Sequence, residues 1–218
     1  MPRVSRAEAE SHREQITEAS ARLFRERGIN GVSVADLMGA AGLTHGGFYG
    51  HFESKDALAG VAVAHAFEQS AERWRKRAAA QPDAGARRRA LVEAYFTPHS
   101  VRHVGVGCPT VALASDVARE PADAPIRAAY VDGLEGLVAI LAGVEQAGSD
   151  AADRRAALAD HATMVGALLL ARATHGTATC DDILAAARER LLPGSVAPSA
   201  APSPSRKTTA RKPKPKKA

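Results

Sequence analysis

Apolar residues recur every three or four positions along most of this chain, which is the spacing of amphipathic helices. Ile16, Ala19, Leu23 and Phe24 form one such stripe and predict a helix from about residue 6 to residue 27. Similar stripes predict later helices over about 86–96, 126–146, 150–174 and 181–192. No segment convincingly alternates apolar and polar residues with the period of two that strands require. The pattern therefore predicts an all-α fold.

Capping residues divide the stretch after the first helix into shorter elements. Ser33 followed by Asp36 is a variant of the capping box and predicts the start of a second helix. Thr44 is expected to cap a third helix, in which Phe48 and Phe52 share one face and point toward the core. Two short helices joined by a tight turn form a helix-turn-helix, whose second helix enters the DNA major groove.

The middle of the chain has clear helix starts and one irregular stretch. Ser54 is predicted to begin a long helix that ends near Ala80. Residues 97–107 are predicted to be a loop. The pair Cys108-Pro109 is expected to open a further helix that ends near Glu120, because proline is tolerated at the first helical position.

Composition agrees with a helical cytoplasmic protein. Hydrophobic residues are 45% of the 218 positions but aromatic residues only 4%, which favours packed helices over a sheet. Two cysteines, Cys108 and Cys180, fit a reducing compartment and make no disulfide framework. The N-terminal residues show no apolar signal-peptide core, and the apolar run 162–171 is shorter than the about 20 residues that cross a bilayer.

Positive charge is concentrated at the C-terminus. The net charge is +5, yet seven Lys and Arg residues lie after Pro193 without any acid, so the rest of the chain carries a net −2. Residues 194–218 are rich in Ser, Ala, Pro and Lys, and we expect a disordered basic tail. This tail is predicted to add sequence-independent DNA affinity; the alternative is a solubilising tail that binds nothing.

Three ordered motifs carry a family resemblance. They read Gly-x-x-x-Val-Ser-Val-Ala-Asp-Leu from Gly28, Ala-Gly-Leu-Thr-x-Gly-x-Phe-Tyr-x-His-Phe from Ala41, and Ser-Lys-Asp-x-Leu from Ser54. Over about residues 12–60 the chain resembles the DNA-binding half of the tetracycline-repressor (TetR) family of bacterial regulators. The resemblance implies a helix-turn-helix DNA-binding domain over residues 1–55. It also implies a ligand-binding and dimerisation domain over residues 56–193.

The DNA-binding residues follow from helix geometry and from the resemblance. Helix starts suit phosphates at Ser33 and Thr44, and the resemblance adds phosphate contacts by Tyr49, His51 and Lys55. The full predicted set is Ser33, Thr44, His45, Gly46, Gly47, Tyr49, His51 and Lys55. Because the third helix lacks Arg, Lys, Asn and Gln, base reading rests on His45 and Thr44, helped by DNA shape and an N-terminal arm with Arg3 and Arg6.

Plainer roles remain open for several of these residues. Tyr49 is alternatively a packing residue at the edge of the core, His51 a hydrogen-bonded structural histidine, and Lys55 a solvated charge. Arg3 and Arg6 are alternatively an uninvolved terminus.

Two apolar stripes near the C-terminus predict a four-helix dimer interface. The residues assigned to it are Leu158, Ala162, Val165, Leu168, Leu169, Ile183, Leu184 and Leu191. A dimer also follows from the need to place two recognition helices on half-sites about one DNA turn apart. The alternative is that these stripes only fill the core of the monomer.

Candidate residues for a small-molecule pocket combine apolar bulk with some polarity. They are Trp74, Tyr95, Cys108, Tyr130 and Met164, each alternatively a plain core residue. Cys108 precedes a helix start that favours a thiolate, so we hypothesise that it senses electrophiles or oxidants; the alternative is a small buried hydrophobe. His99, His103 and Cys108 have a spacing too loose to predict a metal site.

The sequence therefore predicts a ligand-responsive dimeric DNA-binding regulator, a repressor that a small molecule releases from a palindromic operator. It is expected in the cytoplasm, associated with the nucleoid, without a cofactor. The alternative is an architectural DNA-binding protein of low specificity that relies on the basic tail. No phosphate loop, zinc-protease motif or nucleophile elbow points to an enzyme.

Overall fold

The computed structural model describes residues 5–143 and 151–193, and all regular structure within those ranges is helical. In chain order the elements are α1 (Arg6–Arg27), α2 (Val34–Ala40), a 3-10 helix (His45–Gly50), α3 (Lys55–Ala79), α4 (Ala84–Tyr95), α5 (Pro98–Arg102), a 3-10 helix (Val104–Val106), α6 (Pro109–Val117), α7 (Pro125–Ala142), α8 (Ala151–Ala173) and α9 (Ala178–Leu191). The predicted all-α class is confirmed. The predictions for Arg3 and for the tail at 194–218 lie outside the described residues.

The prediction of a loop over residues 97–107 is wrong. Helix α5 lies there, with Pro98 in its first turn and the Thr97 hydroxyl accepting a hydrogen bond from the Ser100 N–H at 3.1 Å. This is the same proline signal that correctly predicts α6 after Cys108. Helix α6 ends at Val117 rather than near Glu120, and α9 begins at Ala178, three residues before its predicted start.

Helix α3 is the central element, since it packs on α1 and, along most of its length, on α7. The contact with α7 is close enough to require glycine: a Cβ at Gly133 would lie 2.2 Å from Cγ of Phe67. The predicted domain boundary between residues 55 and 56 falls in the first turn of this helix.

Helix α6 forms a second contact between the N-terminal helices and the larger helical body. Asp116, near the end of α6, accepts a hydrogen bond from the Ile29 N–H at 2.9 Å, in the turn between α1 and α2. Its other carboxylate oxygen accepts from Arg119 at 2.7 Å. The N-terminal helices are thus fixed to the larger helical body by α3 and by α6.

Helix α8 is long and apolar enough to cross a membrane by composition alone, the only such helix within the described ranges. Its residues Ala157, His161, Met164, Leu168 and Ala171 are buried inside the protomer. The helix packs on α7 and α9, and core helices pass the same compositional test, so this is weak evidence for a membrane span.

Candidate DNA-binding surface and cavity

Helix α2 begins with a complete capping box, as predicted. The Ser33 hydroxyl accepts from the Asp36 N–H at 3.1 Å and donates to the Asp36 carboxylate at 2.5 Å. These hydrogen bonds from the side chain and backbone of Ser33 lower the pKa of Asp36, so the carboxylate is charged at neutral pH. A phosphate approaching Ser33 would meet this negative charge. The geometry therefore weakens the prediction that the Ser33 side chain contacts DNA.

The predicted recognition helix is a 3-10 helix, His45–Gly50. Its apolar side faces the core and its polar side faces solvent. Phe48 and Phe52 are buried in the core, as predicted, while Tyr49 is 71% exposed. Thr44, His45, Gly46 and Gly47 are exposed beside it. Thr44 holds the cap position, yet its side chain makes no capping hydrogen bond, so the predicted cap is wrong in that respect. The five residues share one exposed surface.

His51 contacts two residues of helix α1. The His12 ring lies edge-on to the His51 ring at 5.9 Å, and the Arg13 guanidinium donates to the His51 carbonyl. Arg13 also lies over the Phe52 ring at 4.2 Å. Burial, His12 and Arg13 together lower the pKa of His51. The contacts favour a structural role for His51 and keep its ring neutral at physiological pH.

Sequence reasoning missed Arg13, which fixes the end of the recognition helix to α1. Arg13 and His51 are 38 positions apart, so no local sequence pattern indicates their contact. Lys55 lies at the start of α3 and is partly exposed. The preceding Ser54 caps that helix by accepting from the Ala57 N–H at 3.0 Å.

A cavity of about 370 Å³ lies between α3, α4, α5 and the segment that leads into α6. Three of the five predicted pocket residues line it: Trp74, Tyr95 and Cys108. The other two do not. Met164 is fully buried in the core, and Tyr130 packs edge-on against Phe67 while its hydroxyl donates to the Thr110 carbonyl. Residues that sequence reasoning missed include Arg73, Arg77 and Leu168.

Arginines from three distant helices hold the segment that precedes Cys108. Arg25 donates to the Gly107 carbonyl at 3.5 Å, Arg73 to the Val106 carbonyl at 3.1 Å, and Arg172 to the Ser100 carbonyl at 3.0 Å. None of these guanidiniums forms a salt bridge within residues 5–143 and 151–193. Burial lowers the pKa of all three, that of Arg25 to about 10, so all remain protonated at neutral pH.

Cys108 is buried at the start of α6, beside these arginines and the Tyr95 hydroxyl. The Tyr95 hydroxyl is buried and has no hydrogen-bond partner in the part of the chain that the structure describes. Burial, and then the Cys108 thiol, raise the pKa of Tyr95 well above its usual value. His99 and His103 stack with ring centres 4.1 Å apart, but no metal-binding group of three donors exists among the described residues.

The predicted dimer residues belong to two neighbouring stripes. Leu168, Leu184 and Leu191 are buried inside the protomer, so they cannot contribute to an interface and that part of the prediction is wrong. Leu158, Ala162, Val165 and Leu169 lie one position further along α8, rotated by about 100° from its buried stripe, and are partly or fully exposed. Leu169 and Leu170 are the most exposed leucines of this face, and Ile183 of α9 is partly exposed.

Comparison with known proteins identifies the N-terminal domain. Residues 16–62 match the model of bacterial regulatory proteins of the tetR family. This match covers the N-terminal domain alone, which is similar to the DNA-binding domain of that family. The transcriptional repressor DhaR of Mycobacterium sp. (strain GP1) is 40% identical over 55 residues, which are 25% of this chain and 28% of DhaR. The chain thus matches little more than a quarter of this relative's length.

Solved structures of transcriptional regulators share the fold over most of the chain. A transcriptional regulator from Cytophaga hutchinsonii superposes with a TM-score of 0.68 over 88% of this chain and 96% of its own, at 24% identity. Bacillus subtilis FadR, solved in complex with stearoyl-CoA, superposes with a TM-score of 0.61 over 84% of this chain and 99% of its own, at 17% identity. These likenesses confirm the fold. DhaR is named as a transcriptional repressor and the Cytophaga hutchinsonii protein as a transcriptional regulator, neither of them as an enzyme.

Proposed function

We propose that this chain is a transcription regulator that binds DNA through the exposed surface of its 3-10 helix. The observation that carries the proposal is the arrangement of Phe48 and Tyr49: the first is fully buried, the second 71% exposed beside Thr44, His45 and the two glycines. An exposed aromatic hydroxyl, a free threonine hydroxyl and close backbone approach suit a phosphate backbone and a groove. The family match over residues 16–62 supports the same role.

The residue roles differ in how well the geometry supports them. Tyr49, Thr44 and Lys55 are proposed phosphate ligands, and His45 is the proposed base reader, because its exposed ring presents both a donor and an acceptor. Gly46 and Gly47 let the backbone approach the DNA. His51 is proposed to position the recognition helix through its contacts with His12 and Arg13.

We propose that the active form is a homodimer joined through α8 and α9. The exposed face of α8 carries Leu158, Ala162, Val165, Leu169 and Leu170, and exposed apolar faces of this kind mark association surfaces. The small Ala162 would let two copies of the helix approach closely. A two-fold dimer would present two recognition helices to a palindromic operator.

We further propose that a small molecule in the cavity releases the DNA, so that the regulator is a repressor. DhaR is described as a repressor, and FadR has been solved with stearoyl-CoA. Helix α3 carries Lys55 at one end and the cavity residues Arg73 and Trp74 about 27 Å further along. Helix α6 begins at Cys108 in the cavity and reaches Ile29 through Asp116. Both helices are routes by which a filled cavity would shift the DNA-binding helices.

Selection of bound sequences from a random DNA pool, at near-physiological salt, tests the proposal. The full chain is expected to enrich a palindrome, and His45→Ala is expected to lose that enrichment at defined positions. Lys76→Ala, an exposed cation of α3 outside the proposed surface, is the matched control and should enrich the same palindrome. Binding to all sequences without enrichment would contradict the proposal and favour an architectural DNA-binding protein.

A further inference from the structure

The wall of the cavity carries two positive charges, Arg73 and Arg77, and no acid. Arg73 and Arg77 lie four residues apart on α3 and therefore on one face of the helix. No Asp or Glu lines the cavity. Arg77 is exposed and makes no hydrogen bond or salt bridge within the described residues. The lining of the cavity mouth thus carries positive charge and no negative charge.

More positive charge lies behind the wall. Arg25 is 3% exposed and holds the Gly107 carbonyl from one side, while Arg172 lies within reach of the same glycine from the other. Buried charges in proteins are normally paired, because an unpaired one is costly. Low-dielectric walls with one sign of charge focus their field into the adjoining space and concentrate the opposite charge there. Glu18, Glu26 and Glu72 act on Arg25 and Arg73 from outside the cavity, so an anion inside the cavity would meet positive side chains and no acid in its lining.

The opposite side of the cavity carries apolar surface. Trp74, Leu91 and Leu168 supply the apolar surface. Tyr95 also belongs to the lining, and its hydroxyl is buried beside the Cys108 thiol. A volume of about 370 Å³ is at the lower end of the range for small-molecule sites.

We propose that this cavity binds a small organic anion, a monocarboxylate with an apolar body. Its carboxylate is held by Arg73 and Arg77, and its apolar part packs on Trp74 and Leu168. This inference rests on the proposed function, since it names the chemical class of the effector. Arginine suits a carboxylate because its planar fork donates two parallel hydrogen bonds.

Two fluorescent probes that differ only by an acidic group test the charge selectivity. They are 8-anilinonaphthalene-1-sulfonate and its neutral parent, N-phenyl-1-naphthylamine. Trp74 is the only tryptophan of the chain and lines the cavity, so energy transfer from it reports binding at this site. The full-length protein is expected to bind the anionic probe at least tenfold more tightly, and decanoate is expected to displace it where decanol does not.

Matched variants test whether the proposed residues cause the charge selectivity. Arg77→Gln is expected to weaken the anionic probe by about tenfold, the scale of one charge-assisted hydrogen bond, and to leave the neutral probe within about twofold. Lys76→Gln removes the same charge from the neighbouring position of α3 without touching the cavity, and should change neither probe.

The outcomes distinguish a failure of the proposed anion site from a failure of the proposed regulatory function. Equal binding of both probes, or equal effects of Arg77→Gln and Lys76→Gln, would overturn the proposed anion site. Release of operator DNA by decanoate, lost in Arg77→Gln, would support both proposals. Charge-selective binding without any DNA release would support the anion site and contradict release as the mode of regulation.

Discussion

The exposed leucines of α8 give the sharpest quantitative prediction. Leu169 and Leu170 are 53% and 54% exposed in the protomer. Full burial of a leucine side chain is worth about 1.5–3 kcal/mol, so burying the remaining half gains about 1 kcal/mol. A two-fold interface contains each leucine twice, which makes about 4 kcal/mol for the four side chains. Replacing both residues with serine should therefore weaken dimerisation by about 10³-fold.

Analytical ultracentrifugation over a wide concentration range measures this change. The unmodified chain is expected to sediment as a dimer and the Leu169→Ser/Leu170→Ser variant as a monomer with unchanged helical content, because neither side chain belongs to the core. Val131→Ser on α7 is the matched control, since Val131 is an apolar residue of 53% exposure on another helix. A double variant that dimerises as tightly as the unmodified chain would refute the assignment of the interface to this face of α8.

Three further perturbations test other contacts. Tyr49→Phe should leave the stability unchanged and lower operator affinity about tenfold by fluorescence anisotropy, because only a proposed hydroxyl–phosphate hydrogen bond is lost; equal affinity would favour a packing role. Asp116→Ala should lower the free energy of unfolding in urea by about 1–2 kcal/mol by removing the acceptor of the Ile29 N–H, whereas Asp116→Asn retains an acceptor and should lose less. Burial lowers the pKa of His161 to about 4, so the unfolded chain binds a proton first as the pH falls below about 6.5. Stability should then drop by roughly 3 kcal/mol between pH 7 and pH 4 through this residue, and His161→Gln should reduce the drop in urea titrations; an identical drop in both proteins would contradict this cause.

The local signals of the sequence predict most helix starts. Ser33 with Asp36, Ser54 and the Cys108-Pro109 pair each act through groups within three or four positions, so their effect is visible in the sequence. The loop prediction over 97–107 failed because the equivalent signal at Thr97-Pro98 was not used. Predictions of elements succeed where the physical cause is local.

The cavity and the interface depend on contacts that no local pattern records. Arg25 and Gly107 are 82 positions apart, so the sequence does not show that the guanidinium holds the segment before Cys108. On α8, Leu168 and Leu169 are neighbours in sequence, yet one faces the core and the other solvent. A stripe of apolar residues predicts an amphipathic helix, but it takes the packed partners to say which of two adjacent stripes faces inward.

The position of α3 limits where a chimera between this protein and a relative can be joined. A fragment cut after Lys55 would keep the helix-turn-helix but lose the helix against which α1 packs, including the fully buried Leu58. The family match itself continues to residue 62, two turns into α3. A chimera that grafts these recognition residues onto a relative therefore needs a joint inside α3, in register with α7. Modularity in this architecture is achieved within a shared helix rather than at a linker.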